Sequence, residues 1–377
     1  MAEDLEQSRR PPHVERIALV LKGGGALGAY QAGGYQALQK AGYDPDWVAG
    51  ISIGAINAAI IAGNSPEQRV ERLRTFWQLV SSDSVGIPAL YGDAFRKGFN
   101  SLSAGSAAWL GVPGFFRPRF GLPWMAAEGS DGAISLYDTS PLRASLLELV
   151  DFDRIANGPM RLSVTAVDVE SGNSVVFDSA KTRIGIEHVM ASAALPPAFP
   201  PVEIAGRLYW DGGILSNTPI NIVLDDVPRR STLAFQIDLF NQQGQRPGNL
   251  DDVVERQKDI AYSSRTRFNT DRFSDVHAMR RAIGDFLATV PEENPDAPQL
   301  ENLWQYACNS SMTIVQLIYR HRAIELHSKN YEFSRLSMEE HWNSGILDVG
   351  AALRREAEWL DPANRDEAVR TIDATRP

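Results

Sequence analysis

The chain has 377 residues, 44% hydrophobic and 22% charged, enough for one large α/β domain with additions or for two domains around a substantial core. A net charge of −10 argues against nucleic acid as a partner and against simple adsorption to an anionic membrane. The single cysteine, Cys308, excludes an intrachain disulfide and a cysteine metal cluster and fits a reducing, cytoplasmic setting.

Residues 1–14 are expected to form a disordered tail, because Met1 to Pro12 is polar and lacks the apolar stretch of a secretory leader. Ile17 to Leu21 then predicts a strand covered on both faces, as in a parallel sheet. It stops at three glycines, and a helix follows from Gly28 to Ala41. Trp47 to Ile51 predicts a second strand, Gly54 to Ala62 a small-residue helix, and Pro66 to Leu79 a third helix with proline in its first turn. The longest apolar runs, Ile17 to Leu21 and Ala58 to Ala62, are far shorter than the roughly 20 residues that span a bilayer.

From Ser84 to Thr139 glycine, proline and aromatic residues replace any clear period. This predicts a lid-like insertion at about 84–139, with extra packed core as the alternative. Regular signals resume with a helix over Pro141 to Val150 and a hairpin of Arg161 to Val169 with Ser174 to Phe177. A helix over Gly185 to Ala194 runs into the proline cluster 196–201. A short strand, Arg207 to Trp210, leads to the turn Asp211-Gly212-Gly213, and another strand covers Thr232 to Leu239. The polar stretch 241–249 is the best internal boundary. Beyond it, an extension over 241–365 holds a long charged helix from about Leu250 to Leu287, a strand from Thr313 to Tyr319 able to join the first sheet, and a helix from Arg335 to Leu360. Residues 366–377 read as a tail. The fold class is α/β, with a mainly parallel central sheet and helices on both faces.

Two glycine turns carry chemistry. Gly50-Ile51-Ser52-Ile53-Gly54 has the Gly-x-Ser-x-Gly form that lifts a serine hydroxyl on a strained strand-to-helix turn. Gly23-Gly24-Gly25-Ala26-Leu27-Gly28 leaves backbone N–H groups free at a helix start, where they can hold an oxyanion. The same Gly23-x-Gly25-x-x-Gly28 spacing is also a dinucleotide fingerprint. That rival requires an acidic residue closing the second strand, whereas the strand ends in Gly50-Ile51-Ser52, with Asp44 and Asp46 before it. A catalytically silent scaffold is the third reading.

The chain resembles the bacterial patatin-like phospholipases in four stretches taken in order: Gly23 to Gly28, Gly50 to Gly54, Ala191 to Val202 with its Pro-Pro-x-Phe-Pro-Pro run, and Asp211-Gly212-Gly213 followed by Asn217-Thr218-Pro219. The resemblance covers about residues 15–240, and the remainder looks like the C-terminal extension of one branch. It implies a Ser-Asp dyad with Ser52 as nucleophile, Asp211 as base, and the Gly24 and Gly25 amides as oxyanion donors. The implied reaction is hydrolysis of a lipid acyl ester, without metal or cofactor. Leu27 departs from the family, in which many members carry Arg or Lys there. A carboxylate is a weak base, so Asp211 needs a site dry enough to favour its neutral form. Asp131-Gly132-Ala133 is a second, less well-placed Asp-Gly motif. His188, His277, His321, His327 and His341 are possible triad members by chain order or fold.

Phe115, Phe116, Phe120, Trp124 and Met125, interleaved with Arg117 and Arg119, are expected to form an apolar rim for acyl chains or for peripheral contact with a membrane. The alternative is buried aromatics with arginines paired to acidic neighbours. The sequence leaves the oligomeric state open.

Overall fold

The computed structural model describes residues 9–81, 93–119, 121, 123–215, 219–244, 246–290, 297–320, 329–360 and 369–374. Its strands in chain order are β1 (Arg16–Leu21), β2 (Trp47–Gly50), β3 (Arg117–Pro118), β4 (Tyr137–Asp138), β5 (Arg161–Asp168), β6 (Ser174–Asp178), β7 (Val202–Ile204), β8 (Arg207–Asp211), β9 (Thr232–Asp238), β10 (Met312–Ile318) and β11 (Val369–Asp373). The helices are α1 (Gly28–Lys40), α2 (Ile53–Ala62), α3 (Pro66–Leu79), α4 (Asp93–Leu110), α5 (Asp131–Ile134), α6 (Ser140–Leu149), α7 (Phe152–Asn157), α8 (Ile186–Ser192), α9 (Ile220–Leu224), α10 (Leu250–Thr289), α11 (Ala297–Trp304), α12 (Arg335–Arg354) and α13 (Glu356–Leu360).

The main sheet runs in the order β11-β10-β9-β1-β2-β5-β8-β7, with β6 also on β5. Every pairing from β11 to β5 is parallel, whereas β6 and β8 join β5 antiparallel and β7 joins β8 antiparallel. All six residues of β1 are buried, because alternate side chains face different layers. Ile17, Leu19 and Leu21 belong to the large core that also holds α1, α2 and α12 residues. Ala18 and Val20 belong to a second core with Ile220, Val223 and Phe273 of α9 and α10. Helices therefore cover both faces. The small residues of α2 let all ten of its positions be buried between the sheet and its neighbouring helices.

The late strand does join the sheet, since β10 pairs with β9 over seven registered positions. Two expectations about the chain ends change. Residues 369–373, read as tail, form the edge strand β11 on β10. Within the predicted leading tail, Val14 is buried and the Arg9 amide donates to the Gly42 carbonyl at 2.8 Å. The stretch 84–139, read as irregular, contains the 18-residue helix α4. Among the described residues, no helix is long and apolar enough to cross a membrane.

Candidate active site

Gly50 ends β2 and Ser52 immediately precedes α2, so the serine sits at the N-terminal, electropositive end of a buried helix. Its backbone has φ 58 and ψ −128, and Ser52 and Ala205 are the described non-glycine residues with positive φ. Such a conformation costs roughly 1–3 kcal/mol and persists where its surroundings enforce it. They do so here: the Ser52 amide donates to the Ser192 carbonyl at 3.1 Å and to the Ser192 hydroxyl at 3.2 Å. Gly54 is required by close approach, because a Cβ there would lie 2.3 Å from the Leu21 carbonyl oxygen.

Sheet register brings the second group in. On β5, Val164 is paired with Gly50 and Ala166 with Asp211, two residues or about 7 Å farther along the strand. The Asp211 amide donates to the Ala194 carbonyl at 2.9 Å, and its Oδ1 accepts from the Gly213 amide at 2.7 Å. The Ser52 hydroxyl lies close enough to the same carboxyl group to favour its ionised form. Asp211 is 1% exposed, and this burial pushes its pKa from 3.8 up to about 7 against the opposing pull of the nearby Ser52 hydroxyl and the Gly213 amide.

The glycine turn leaves the sheet beside the serine turn, because Leu21 at the end of β1 is in register with Gly50. Gly25 has φ +59, and a single helical turn over Gly25–Leu27 leads into α1 at Gly28. Among the described residues, no hydrogen bond occupies the Gly24 or Gly25 amide. A buried chain of side chains braces the turn from behind. Gln31 Nε2 donates to the Lys22 carbonyl at 2.7 Å, Asn57 Nδ2 donates to Gln31 Oε1 and to the Gly28 carbonyl, both at 3.0 Å, and Trp77 Nε1 donates to Asn57 Oδ1 at 3.0 Å.

The structure thus brings Ser52 and Asp211 to neighbouring positions across β5, places the Gly23–Gly28 turn alongside, and sets Gly212 and Gly213 directly after Asp211. Asp131 lies elsewhere, on the exposed turn α5, 3.5 Å from Arg119. His188 Nδ1 accepts from the Gly185 amide, His277 Nε2 meets the Ser310 carbonyl, and His341 packs on Tyr319. His321, His327, Asn217, Thr218 and Phe120 lie outside the described residues. Leu27 is fully buried.

The expected rim is rearranged. Phe115 and Phe116 are buried in an aromatic cluster with Tyr137, Phe199 and Phe333, at ring separations of 4.8 to 6.2 Å. Arg117 pairs with Asp138 at 2.8 Å and Arg119 with Asp131, as the alternative reading supposed. Trp124 and Met125 do stand in solvent, joined by Leu102, Trp109 and Leu110 of the unforeseen helix α4. Sequence reasoning also passed over Ser192, Gln31 and Asn57. A lone amide inside the apolar run Ala55-Ile56-Asn57-Ala58-Ala59-Ile60 was the available signal for Asn57.

The sequence pattern of the family described as patatin-like phospholipase matches residues 19–224, which hold both turns and Asp211. The chain belongs to this family. A second pattern, described as patatin phospholipase, matches residues 260–366. An uncharacterized NTE family protein of Mycobacterium tuberculosis is 28% identical over 205 residues, 54% of this chain and 44% of that protein. Uncharacterized protein YqhO of Bacillus subtilis is 25% identical over 214 residues, 53% of this chain and 64% of that protein. The chain therefore matches less than half the length of the mycobacterial relative. Among solved structures, VipD from Legionella pneumophila aligns over 91% of this chain and 75% of its own, with 16% identity and a TM-score of 0.37. Human GIVD cytosolic phospholipase A2 aligns over 92% and 60%, with 13% identity and a TM-score of 0.35.

Proposed function

We propose that this patatin-like protein hydrolyses fatty acyl esters of lipids through an acyl-enzyme on Ser52, with Asp211 as base. The observation that carries the reading is that one short segment, Ser192 to Ala194, holds the backbone of the strained Ser52 turn and of Asp211, a buried carboxyl group poised near neutral pH. In the first step, Ser52 Oγ bonds to the ester carbonyl carbon as its proton passes to Asp211. The carbonyl oxygen becomes an oxyanion facing the unoccupied Gly24 and Gly25 amides. Collapse breaks the bond to the alcohol, which leaves with the proton from Asp211. Water then adds to the acyl-serine, its proton going to Asp211, and the fatty acid departs as the proton returns to Ser52. Every proton is balanced by the two side chains and water, and the scheme draws on no metal or organic cofactor.

A lipid substrate lies in an interface, and the surfaces proposed to meet it are α4 and the turn Pro123–Met125. Trp109, Leu110, Trp124 and Met125 are 79 to 83% exposed there. Tryptophan is well suited to the headgroup level of a bilayer, where one edge of the ring is apolar and the N–H stays wet.

The direct test is reaction with a fluorophosphonate followed by mass spectrometry of the tryptic peptides. The phosphonyl mass is expected on the peptide containing Ser52 and absent from Ser52→Ala. Adduct on another residue, or none, rejects the proposal.

A further inference from the structure

We propose that the carboxy-terminal extension is a working part of the acyl-transfer site, and that Lys329 is its positioning residue: clamped by Glu255 and Asp259, it seats the Asn330 carbonyl against Gly25 and so fixes where the Gly24 and Gly25 amides point. The inference rests on the Ser52 reading given above.

A turn of consecutive glycines has no side chains with which to anchor itself, so the groups packed against it set its direction. At Gly25 that packing comes from the extension. A Cβ on Gly25 would lie 2.2 Å from the Asn330 carbonyl oxygen, which puts the two backbones in direct contact. Asn330 belongs to a short helical turn, Lys329–Tyr331, whose position is set from both sides.

On one side is Lys329, whose side chain is 1% exposed. Its ammonium group lies 2.9 Å from Glu255 and 3.1 Å from Asp259, carboxylates spaced i, i+4 on one face of α10. A buried charge with two fixed partners tolerates little displacement, because moving it leaves carboxylates and ammonium desolvated and unpaired. The neighbouring Lys258 lies over the Tyr331 ring, 5.5 Å from its centroid. On the other side, Phe333 packs on Phe115, and Arg335 donates to the Ser81 hydroxyl at 2.6 Å and the Gln78 carbonyl at 2.7 Å.

The same helix α10 also reaches the root of the glycine turn. Lys22, fully buried and one residue before Gly23, donates to the Tyr262 carbonyl at 3.3 Å and pairs with Asp238 of β9 at 3.4 Å. Helix α10 therefore touches the strand end that enters the turn and, through Lys329, the backbone that caps it. This links the region matched at 260–366 to chemistry carried by the region matched at 19–224.

Oxyanion donors act on charge that develops in the transition state, so loosening them lowers kcat and leaves KM nearly unchanged. A residue that merely stabilised the fold would lower the melting temperature without this split. The experiment compares full-length wild type, Lys329→Met, Lys329→Arg and Glu255→Gln at a temperature well below each melting point. It measures hydrolysis of p-nitrophenyl butyrate and the rate of phosphonylation of Ser52. The expected result is a fall of about 10- to 100-fold in kcat and in phosphonylation rate for Lys329→Met. KM and the pH midpoint set by Asp211 stay in place, and Lys329→Arg recovers part of the loss. If Lys329→Met fails to fold, Glu255→Gln carries the test with a smaller fall in the same direction. Folded variants with wild-type kcat and phosphonylation rate overturn the inference. Absence of Ser52 phosphonylation in the wild type instead overturns the function on which it rests.

Discussion

Ser52 and Asp211 share one brace: the backbone amide of each is held by the same short segment at the end of α8. The Ser52 amide bonds to Ser192 and the Asp211 amide to Ala194. Strained serine and buried carboxylate are thus fixed relative to one another through a common brace. Register along β5 supplies the coarse alignment and this segment the fine one.

Ser192 is accordingly expected to matter more than its place in a small-residue run suggests. Its hydroxyl is buried, donates to the Thr165 carbonyl at 2.7 Å and accepts from the Ser52 amide. Ser192→Ala leaves the Thr165 carbonyl without this donor, a cost of about 1–3 kcal/mol. Urea unfolding measures the loss. Esterase activity is expected to fall with it, since the Ser52 amide keeps just the Ser192 carbonyl as partner. A variant as stable and active as wild type would contradict the brace.

Asp211 should also leave a mark on the pH dependence of stability. Burial raises its pKa from 3.8 to about 7, so between those values the folded chain retains a proton that the unfolded chain has released. Stability from this group is therefore fullest below about pH 4 and is lost as pH rises through 7, by as much as about 4 kcal/mol. Asp211→Asn removes that slope. Relative to wild type it should be more stable at pH 8 than at pH 5, as measured by denaturant titration at the two values. Parallel pH profiles for the two proteins would count against a buried, proton-holding carboxyl group.

Much of this arrangement was legible in the sequence because it depends on local rules. The strand β1, the helix α3 with its proline start, and the glycines around Ser52 follow from apolar runs and turn chemistry, and the structure reproduces α3 at Pro66–Leu79. What was not legible depends on tertiary neighbours. Helix α4 carries three Ser, two Gly and one Asn, residues of modest helix propensity, so its 18 residues read as loop. The edge strand Val369–Asp373 has too few apolar residues to announce itself and is recruited by β10. Phe115 and Phe116 were assigned by type to a rim, but burial is a property of what surrounds a ring, and Phe199 and Phe333 arrive from distant sequence.

That correction changes which substitutions probe membrane contact. Trp109→Asp with Trp124→Asp alters exposed rings and is expected to abolish flotation with phosphatidylcholine vesicles while hydrolysis of a water-soluble ester stays near wild type. Phe115→Asp buries a charge within the core and should destabilise the protein by about 3–5 kcal/mol. Flotation unaffected by the double tryptophan change would remove the membrane role from this surface.

The most direct test of the account is the pH dependence of Ser52 phosphonylation in wild type and Asp211→Asn, read by mass spectrometry of the Ser52 peptide. Labelling of the wild type should rise through about pH 7, as Asp211 loses its proton. Labelling of the variant should be lower by about 10²- to 10⁴-fold and flat across that range. Equal rates in the two proteins, or a label that settles on a residue other than Ser52, would contradict a serine activated by Asp211.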